Sequence, residues 1–192
     1  MSLKEETLPM LFLRPGEFFF GETPTLVTTV LGSCISVTMY VPALGIGSIC
    51  HGLLPTCKGR KQRQCNCGDR CPEGFRFVEC SIWRMLEEYM QRGISPKGLQ
   101  VKLFGGADMF PASEPQRCGK TIGHQNISVA LEVIEGEGLV LAAADVGGSR
   151  GRKIMFNTAT GEVLLKRLNS EREFKELHYG DKPVIQRKRQ RS

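Results

Sequence analysis

Hydrophobic and polar residues alternate over short distances in the first third of the chain. The stretch TLVTTV (25–30) is rich in β-branched residues, and CISVTMY (34–40) alternates apolar with hydroxyl-bearing side chains. A proline-containing turn, VPAL (41–44), leads into GIGSICH (45–51). Because β-branched residues and a period of two favour extended chain, these stretches predict β-strands, the last two joined as a hairpin.

The apolar period changes in the middle of the chain. In FVECSIWRMLEEYMQRG (77–93) apolar residues recur at helical spacing, and the final glycine is a suitable helix end. A second helix is predicted within IGHQNISVALEVIEGEGL (122–139), beginning near Asn126 and closed by the glycines at its end. Both helices stand between segments of extended character, which predicts an α/β fold with short connections.

The remaining segments predict further strands. LQVKLFGGADMF (99–110) has the pattern of a strand followed by a glycine turn, and residues 140–168 predict a strand, a glycine-rich turn and a hairpin around NTATG. Arg150 or Arg152 in that glycine-rich turn could bind an anion, but a tight turn between strands is favoured because no helix start follows. No internal repeat is present, so residues 1–180 are predicted to form a single domain.

Composition and charge change this picture only at two segments. The 192 residues are 41% hydrophobic and 24% charged, with a net charge of +6. The excess of positive charge comes from a loop at about 56–74 and from residues 181–192, a basic tail predicted to be disordered. No base-recognition motif, no membrane-length apolar run and no signal-peptide pattern is seen. The chain is therefore predicted to be cytoplasmic, without nucleic-acid binding or membrane insertion.

The loop at 56–74 holds half of the eight cysteines. Cys57, Cys65, Cys67 and Cys71 have the spacing C-x7-C-x-C-x3-C, which differs from the paired C-x2-C arrangement typical of zinc sites. Basic neighbours favour thiolates, so redox or disulfide chemistry is an alternative to zinc binding, and an inert insert is a third. The zinc hypothesis names all four of these cysteines as ligands.

Cys34 and His51 stand at the outer ends of the predicted hairpin. If its loop is 41–44, Cys34 lies directly opposite His51, with the two Cβ atoms about 4.5–5.5 Å apart. An imidazole at that separation can take the proton of a thiol, and backbone N–H groups at Gly32, Ser33 and Cys34 could stabilise an oxyanion. Thr28, in the preceding strand, could orient the imidazole through its hydroxyl. On spacing alone, a buried cysteine and a structural histidine remain the alternative.

Several motifs together resemble a known family. TTVLGSCISVTMYVPALGIGSICHGLLP, VKLFGGADMF, IGHQN and DVGGSRGRKIMFNTATGEVLLKRL look like the CheD family of bacterial chemotaxis proteins, in the same order. Two segments depart from the usual family pattern: Asp108 stands where asparagine is frequent, and His124-Gln125 stands where a charged pair is more usual. His124 is expected at the surface or at a helix start. Neither segment contains any of the predicted catalytic residues.

The resemblance implies both an activity and a site. It places the family's nucleophile on Cys34, its general base on His51 and its third catalytic residue on Thr28. The implied reaction is deamidation of receptor glutamines to glutamates through a cysteine thioester, with no cofactor required. The implied fold resembles that of the cytotoxic-necrotizing-factor-type cysteine hydrolases, in which packed mixed β-sheets are flanked by helices.

The resemblance also implies partners and a place in the cell. Methyl-accepting chemotaxis receptors are the implied substrates, CheC-type phosphatases are the implied regulators, and the protein is expected at receptor arrays in the cytoplasm. A function of another class remains the alternative. The chain could instead be a non-catalytic adaptor that binds receptors or CheC, or a metal- or redox-sensing module that uses the cysteine loop.

Overall fold

The computed structural model describes residues 8–57, 74–108 and 121–179. In these ranges short 3₁₀ turns occur at Gly74–Arg76 and Pro96–Gly98. The strands are β1 (Met10–Phe12), β2 (Phe18–Gly21), β3 (Leu26–Leu31), β4 (Ile35–Val41), β5 (Ile46–Cys50), β6 (Gln100–Gly105), β7 (Val140–Val146), β8 (Arg152–Asn157) and β9 (Val163–Arg167). The helices are α1 (Val78–Gln91), α2 (Ile122–Gly136) and α3 (Glu171–Tyr179).

The strands form two mixed sheets within the described ranges. One sheet has the order β1-β3-β8-β9 and the other has the order β2-β5-β4-β6-β7. The pairs β1–β3 and β6–β7 are parallel, whereas the remaining neighbours are antiparallel. β4 therefore lies at the centre of the larger sheet, between β5 and β6, and most of its residues are buried.

Alternating side chains on the strands build a layered core. Odd-numbered residues of β4, among them Val37 and Met39, pack against α1 and α2. Residues such as Ile49 and Phe156 fill the space between the two sheets. On the far side of the smaller sheet, Val30 packs against Phe174 of α3. These layers confirm the predicted α/β fold of packed mixed sheets flanked by helices. No helix in the described ranges is long and apolar enough to span a membrane.

The hairpin between β4 and β5 has a register different from the prediction. Val41 pairs with Ile46, and the last bridge joins Ile35 to Gly52. The loop therefore runs from 42 to 45 instead of 41 to 44. Gly45 explains the difference, because its φ of 62° lies in the left-handed region and its N–H closes the turn onto the Val41 carbonyl. The prediction that Cys34 directly opposes His51 is wrong by two residues.

Further differences from the sequence-based expectation concern the start of one helix and three elements that the sequence does not predict. α2 begins at Ile122 instead of near Asn126, because the side chain of Thr121 caps it by accepting a hydrogen bond from the His124 N–H. β1, β2 and α3 were not predicted at all. α1, β6, β7 and the β8–β9 hairpin confirm the predicted elements. The basic tail at 181–192 and most of the cysteine loop lie outside the described residues.

The glycine turn after β6 allows three backbone segments to meet. Gly105 has a φ of 114°, and a Cβ atom there would lie 2.1 Å from the carbonyl oxygen of Cys34. A Cβ atom on Gly123 of α2 would lie 2.6 Å from the carbonyl oxygen of Gly106. The Cys34 segment, β6 and the start of α2 can therefore approach this closely only where side chains are missing.

Gly105→Ala should destabilise the protein by at least about 2 kcal/mol, because the backbone must move to remove the clash with Cys34 and alanine disfavours this φ. Gly136→Ala is the matched control. A Cβ atom there meets nothing within 4 Å, and alanine in place of a helical glycine should be neutral or stabilising by up to about 1 kcal/mol. Urea unfolding measures both changes, and equal stability of the two variants would contradict the close-approach argument.

Candidate active site

Cys34 lies at the start of β4, on the side of the larger sheet that faces the smaller one. Its side chain is partly exposed and packs against the apolar cluster between the sheets. The backbone around it is held by two hydrogen bonds, from Gly106 N–H to the Cys34 carbonyl and from Ala107 N–H to the Gly32 carbonyl, each 2.8 Å long. A fixed backbone fixes the direction from which the sulfur can attack.

The thiol of Cys34 is protonated at neutral pH. Burial raises the pKa of Cys34 to about 11, and the backbone N–H of the same residue opposes this shift in part. A thiol in this state is a poor nucleophile, so a base must take its proton as the reaction begins. The site therefore needs a second group close to the sulfur.

His51 has the position and the orientation of such a base. It follows β5 and is completely buried, and its backbone is held by Glu17 on its N–H side and by Gly16 on its carbonyl side. The ring atom Nδ1 lies 2.8 Å from Oγ1 of Thr29, in the opposing sheet. Oγ1 of Thr29 donates its single proton to the Leu13 carbonyl. Thr29 Oγ1 must therefore accept a hydrogen bond from Nδ1–H, which leaves the lone pair of the neutral ring on Nε2.

Thr28 does not occupy the place predicted for it. Its hydroxyl donates to the Ile154 carbonyl at 2.9 Å, in the neighbouring strand β8. Successive residues of β3 face opposite sides of the sheet, so Thr29 faces the larger sheet and His51, whereas Thr28 faces the side of α3. The contact with the imidazole that the sequence suggested for Thr28 is made by Thr29.

The observed register keeps Cys34 and His51 on one face of the larger sheet. Because opposed residue numbers add to 87 in the hairpin, His51 is level with Ser36, and Cys34 lies two positions further along β4. A shift of two residues preserves the face on which a side chain points. The register thus makes Cys34 and His51 diagonal neighbours, a relation in which the Cα atoms are typically about 7–8 Å apart.

A buried asparagine that the sequence pattern did not single out supports both segments. Asn126 of α2 donates from Nδ2 to the Ser33 carbonyl and to the Leu53 carbonyl, each at 2.9 Å. Ser33 precedes Cys34, and Leu53 follows His51 by two residues. A helix that begins at Ile122 places the asparagine of the IGHQN motif on the buried face of α2, whereas a start near Asn126 does not.

The arginines of the glycine-rich turn have different surroundings. Arg152 is buried, pairs with Asp145 at 2.9 Å and donates to the Gly105 carbonyl at 3.1 Å. It also donates to the Gly147 carbonyl. Because these partners occupy its guanidinium, Arg152 stabilises the turn between β7 and β8. This role agrees with the sequence-based preference for a tight turn over an anion site. Arg150 is exposed.

The zinc hypothesis falls almost entirely outside the described residues. Cys65, Cys67 and Cys71 are not described, and Cys57 is half-buried at the edge of a described range. In residues 8–57, 74–108 and 121–179, no three His, Cys, Asp or Glu side chains are grouped in a way that could hold a metal ion. His124 is exposed near the start of α2, as expected.

Comparisons with known proteins show the family to which the chain belongs. Residues 54–167 match the family model described as CheD chemotactic sensory transduction. A protein of Geobacter sulfurreducens named "Probable chemoreceptor glutamine deamidase CheD 2" is 52% identical over 169 residues, covering 88% of this chain and 96% of the relative. A relative from Oleidesulfovibrio alaskensis, named "Probable chemoreceptor glutamine deamidase CheD", is 39% identical, covering 88% of this chain and 77% of the relative. The chain belongs to the CheD family.

Alkylation of Cys34 by iodoacetamide should be slow at pH 7 and should rise about tenfold per pH unit until pH approaches about 11. The reason is that only the thiolate reacts, and burial raises the pKa of this thiol to about 11, so the thiolate fraction grows with pH below that value. Peptide mass spectrometry after timed alkylation distinguishes Cys34 from the other cysteines. A rate that is already constant between pH 6 and pH 9 would instead indicate a stable thiolate–imidazolium pair.

Proposed function

We propose that this protein deamidates glutamine side chains of chemoreceptors, with Cys34 as the nucleophile and His51 as the general base. The observation that carries the proposal is the buried imidazole of His51, held at Nδ1 by Thr29 and placed on the same sheet face as the Cys34 thiol. The names of the relatives, which are described as chemoreceptor glutamine deamidases, support the choice of substrate.

The reaction follows from the protonation states at the site. Nε2 of His51 takes the thiol proton while the Cys34 sulfur attacks the side-chain carbonyl carbon of glutamine. Backbone N–H groups of the Gly32–Cys34 segment are the candidates to stabilise the resulting oxyanion. The imidazolium then gives its proton to the amide nitrogen as the carbon–nitrogen bond breaks. Ammonia departs, and the glutamine side chain remains attached to Cys34 as a thioester.

Water completes the cycle. With His51 again acting as the base, a water molecule attacks the thioester carbonyl, the carbon–sulfur bond breaks, and the product is a glutamate side chain. The thiol, the imidazole and water supply every proton and electron pair in these steps, so the proposed mechanism requires no cofactor. The product adds one negative charge to the receptor, which is a change that can alter a signalling equilibrium.

The proposed partners follow from the kind of substrate. A glutamine on a receptor helix supplies binding energy from residues remote from the reacting amide, whereas free glutamine offers few such contacts. Receptor glutamines should therefore be much better substrates than free glutamine. A site open enough for a helix can also be covered by another protein, and a CheC-type phosphatase is the proposed regulator at receptor arrays.

Cys34→Ala should abolish ammonia release from purified receptor, because the proposed nucleophile is removed, and His51→Ala should lower kcat by at least about 100-fold. Ammonia release and mass spectrometry of receptor peptides measure the effect. Ser95→Ala is a suitable control, since Ser95 only caps a 3₁₀ turn. Full activity of Cys34→Ala would contradict the mechanism, and absence of ammonia release by the wild-type protein would favour the adaptor alternative.

Thr29→Val and Thr28→Val form a matched pair that separates the two threonines. Both changes preserve shape and remove one hydroxyl, but only Thr29 contacts the imidazole. Thr29→Val should lower kcat about 10- to 100-fold because the ring loses its orientation, and Thr28→Val should change kcat by less than about threefold. The measurement is receptor deamidation at several pH values. A larger loss in Thr28→Val would restore the assignment that the family resemblance implied.

A further inference from the structure

Asn126 lies where the two strands of the catalytic hairpin separate. Ile35 and Gly52 form the last bridge between these strands, with hydrogen bonds of 2.9 and 2.8 Å in the two directions. Beyond this bridge the chain carrying Cys34 and the chain following His51 are no longer paired with each other. The carboxamide of Asn126 contacts both chains at this point.

The chemistry of this contact requires two donors on one nitrogen. Both partners of Asn126 are backbone carbonyls, of Ser33 and of Leu53, so the amide nitrogen must face them. Asn126 is completely buried, and a buried carbonyl that lost its donor would cost about 1–3 kcal/mol. Asparagine is suited to this position, since its Nδ2 carries two protons that can reach two chains.

The direction of the Ser33 carbonyl determines the direction of the Cys34 N–H. No cis peptide bond occurs in the described residues, and in a trans peptide the carbonyl and the following N–H point in opposite directions. Asn126 draws the Ser33 carbonyl toward α2, so the Cys34 N–H points away from α2. This N–H lies near the Cys34 sulfur, and its effect on the thiol pKa is smaller than that of burial.

The neighbouring carbonyls are fixed by a different element. Gly32 and Cys34 direct their carbonyls to N–H groups that follow β6, at Ala107 and Gly106. Only the Ser33 carbonyl, between them, depends on a side chain for its partner. The orientation of the Ser33–Cys34 peptide is thus under the control of Asn126.

We propose that Asn126 is a positioning residue that aims the Cys34 N–H at the oxyanion formed during acyl transfer, while it holds the segment after His51 at a fixed distance. This inference rests on the proposed acyl-transfer function. It adds to that function a residue on α2 that touches neither substrate nor sulfur and acts only through the Ser33–Cys34 peptide.

Two reactions of Cys34 separate positioning from simple folding. Acylation by p-nitrophenyl acetate passes through an oxyanion, whereas alkylation by iodoacetamide does not. Asn126→Leu, which keeps approximately the same volume and removes both donors, should lower the acylation rate and the kcat for receptor deamidation about 10- to 100-fold. The alkylation rate and the KM for receptor should stay within about threefold of wild type. Asn126→Ser, a smaller change, provides the same test if the leucine variant does not fold.

Asn157→Ala is the matched control. The Asn157 side chain also bonds to a backbone group, accepting a hydrogen bond of 3.0 Å from the Ala159 N–H. Asn157 is the last residue of β8, at the opposite end of that strand from Arg152. This variant should lose some stability in urea and keep both reactions of Cys34 unchanged. Equal losses of acylation and alkylation in the Asn126 variants, or no loss in either, would overturn the positioning role. A wild-type protein that is acylated by the ester but does not deamidate receptor would contradict the proposed substrate, while the ratio of the two rates would still decide the role of Asn126.

Discussion

The hydrogen bond between Thr29 Oγ1 and His51 Nδ1 connects the two sheets, and the candidate site depends on it. Thr29 belongs to β3 in the smaller sheet, whereas His51 and Cys34 belong to the β4–β5 hairpin of the larger one. The orientation of the base is therefore set by one sheet and the position of the nucleophile by the other. Any change in how the sheets pack alters the geometry of proton transfer, even when no residue of the site itself is changed.

Buried polar contacts favour one packing of the two sheets and α2 over alternative packings. Thr29 also donates to Leu13, Arg152 joins the end of β7 to Gly105, and Asn126 joins two diverging chains to α2. Each of these groups would be costly to bury without its partners, so an alternative packing that separated them would be disfavoured by about 1–3 kcal/mol per group. The glycine turn after β6 lets these elements approach closely enough for the bonds to form. The site is thus specified by polar contacts within a largely apolar core.

The sequence predicts the elements of this fold better than their exact alignment. β-branched alternation and helical spacing locate β3 to β6 and α1, and the spacing from Cys34 to His51 brings both to one face. Local patterns do not determine which residue of a turn adopts a left-handed conformation, so the choice of Gly45 shifted the hairpin by two residues. The same difficulty separates Thr28 from Thr29, because adjacent residues of a strand differ only in the face they present. The role of Asn126 depends on where a helix and two strands meet, and no local pattern records that.

Protonation of the Cys34 thiol in the absence of substrate affects which reagents the sulfur reacts with. Burial raises the pKa of Cys34 to about 11, so the sulfur reacts slowly with small electrophiles and oxidants that require a thiolate. In the proposed mechanism, the thiol is activated only when a substrate carbonyl carbon lies beside the sulfur and His51 takes the proton during attack. The raised pKa then becomes an advantage, because a thiolate formed only in the presence of substrate is a strong nucleophile that is rarely exposed to other reagents. In the proposed mechanism, the reactivity of Cys34 depends on the orientation of the His51 imidazole, which Thr29 holds at Nδ1. A single hydroxyl in the opposing sheet would therefore influence the chemistry of the cysteine that precedes β4.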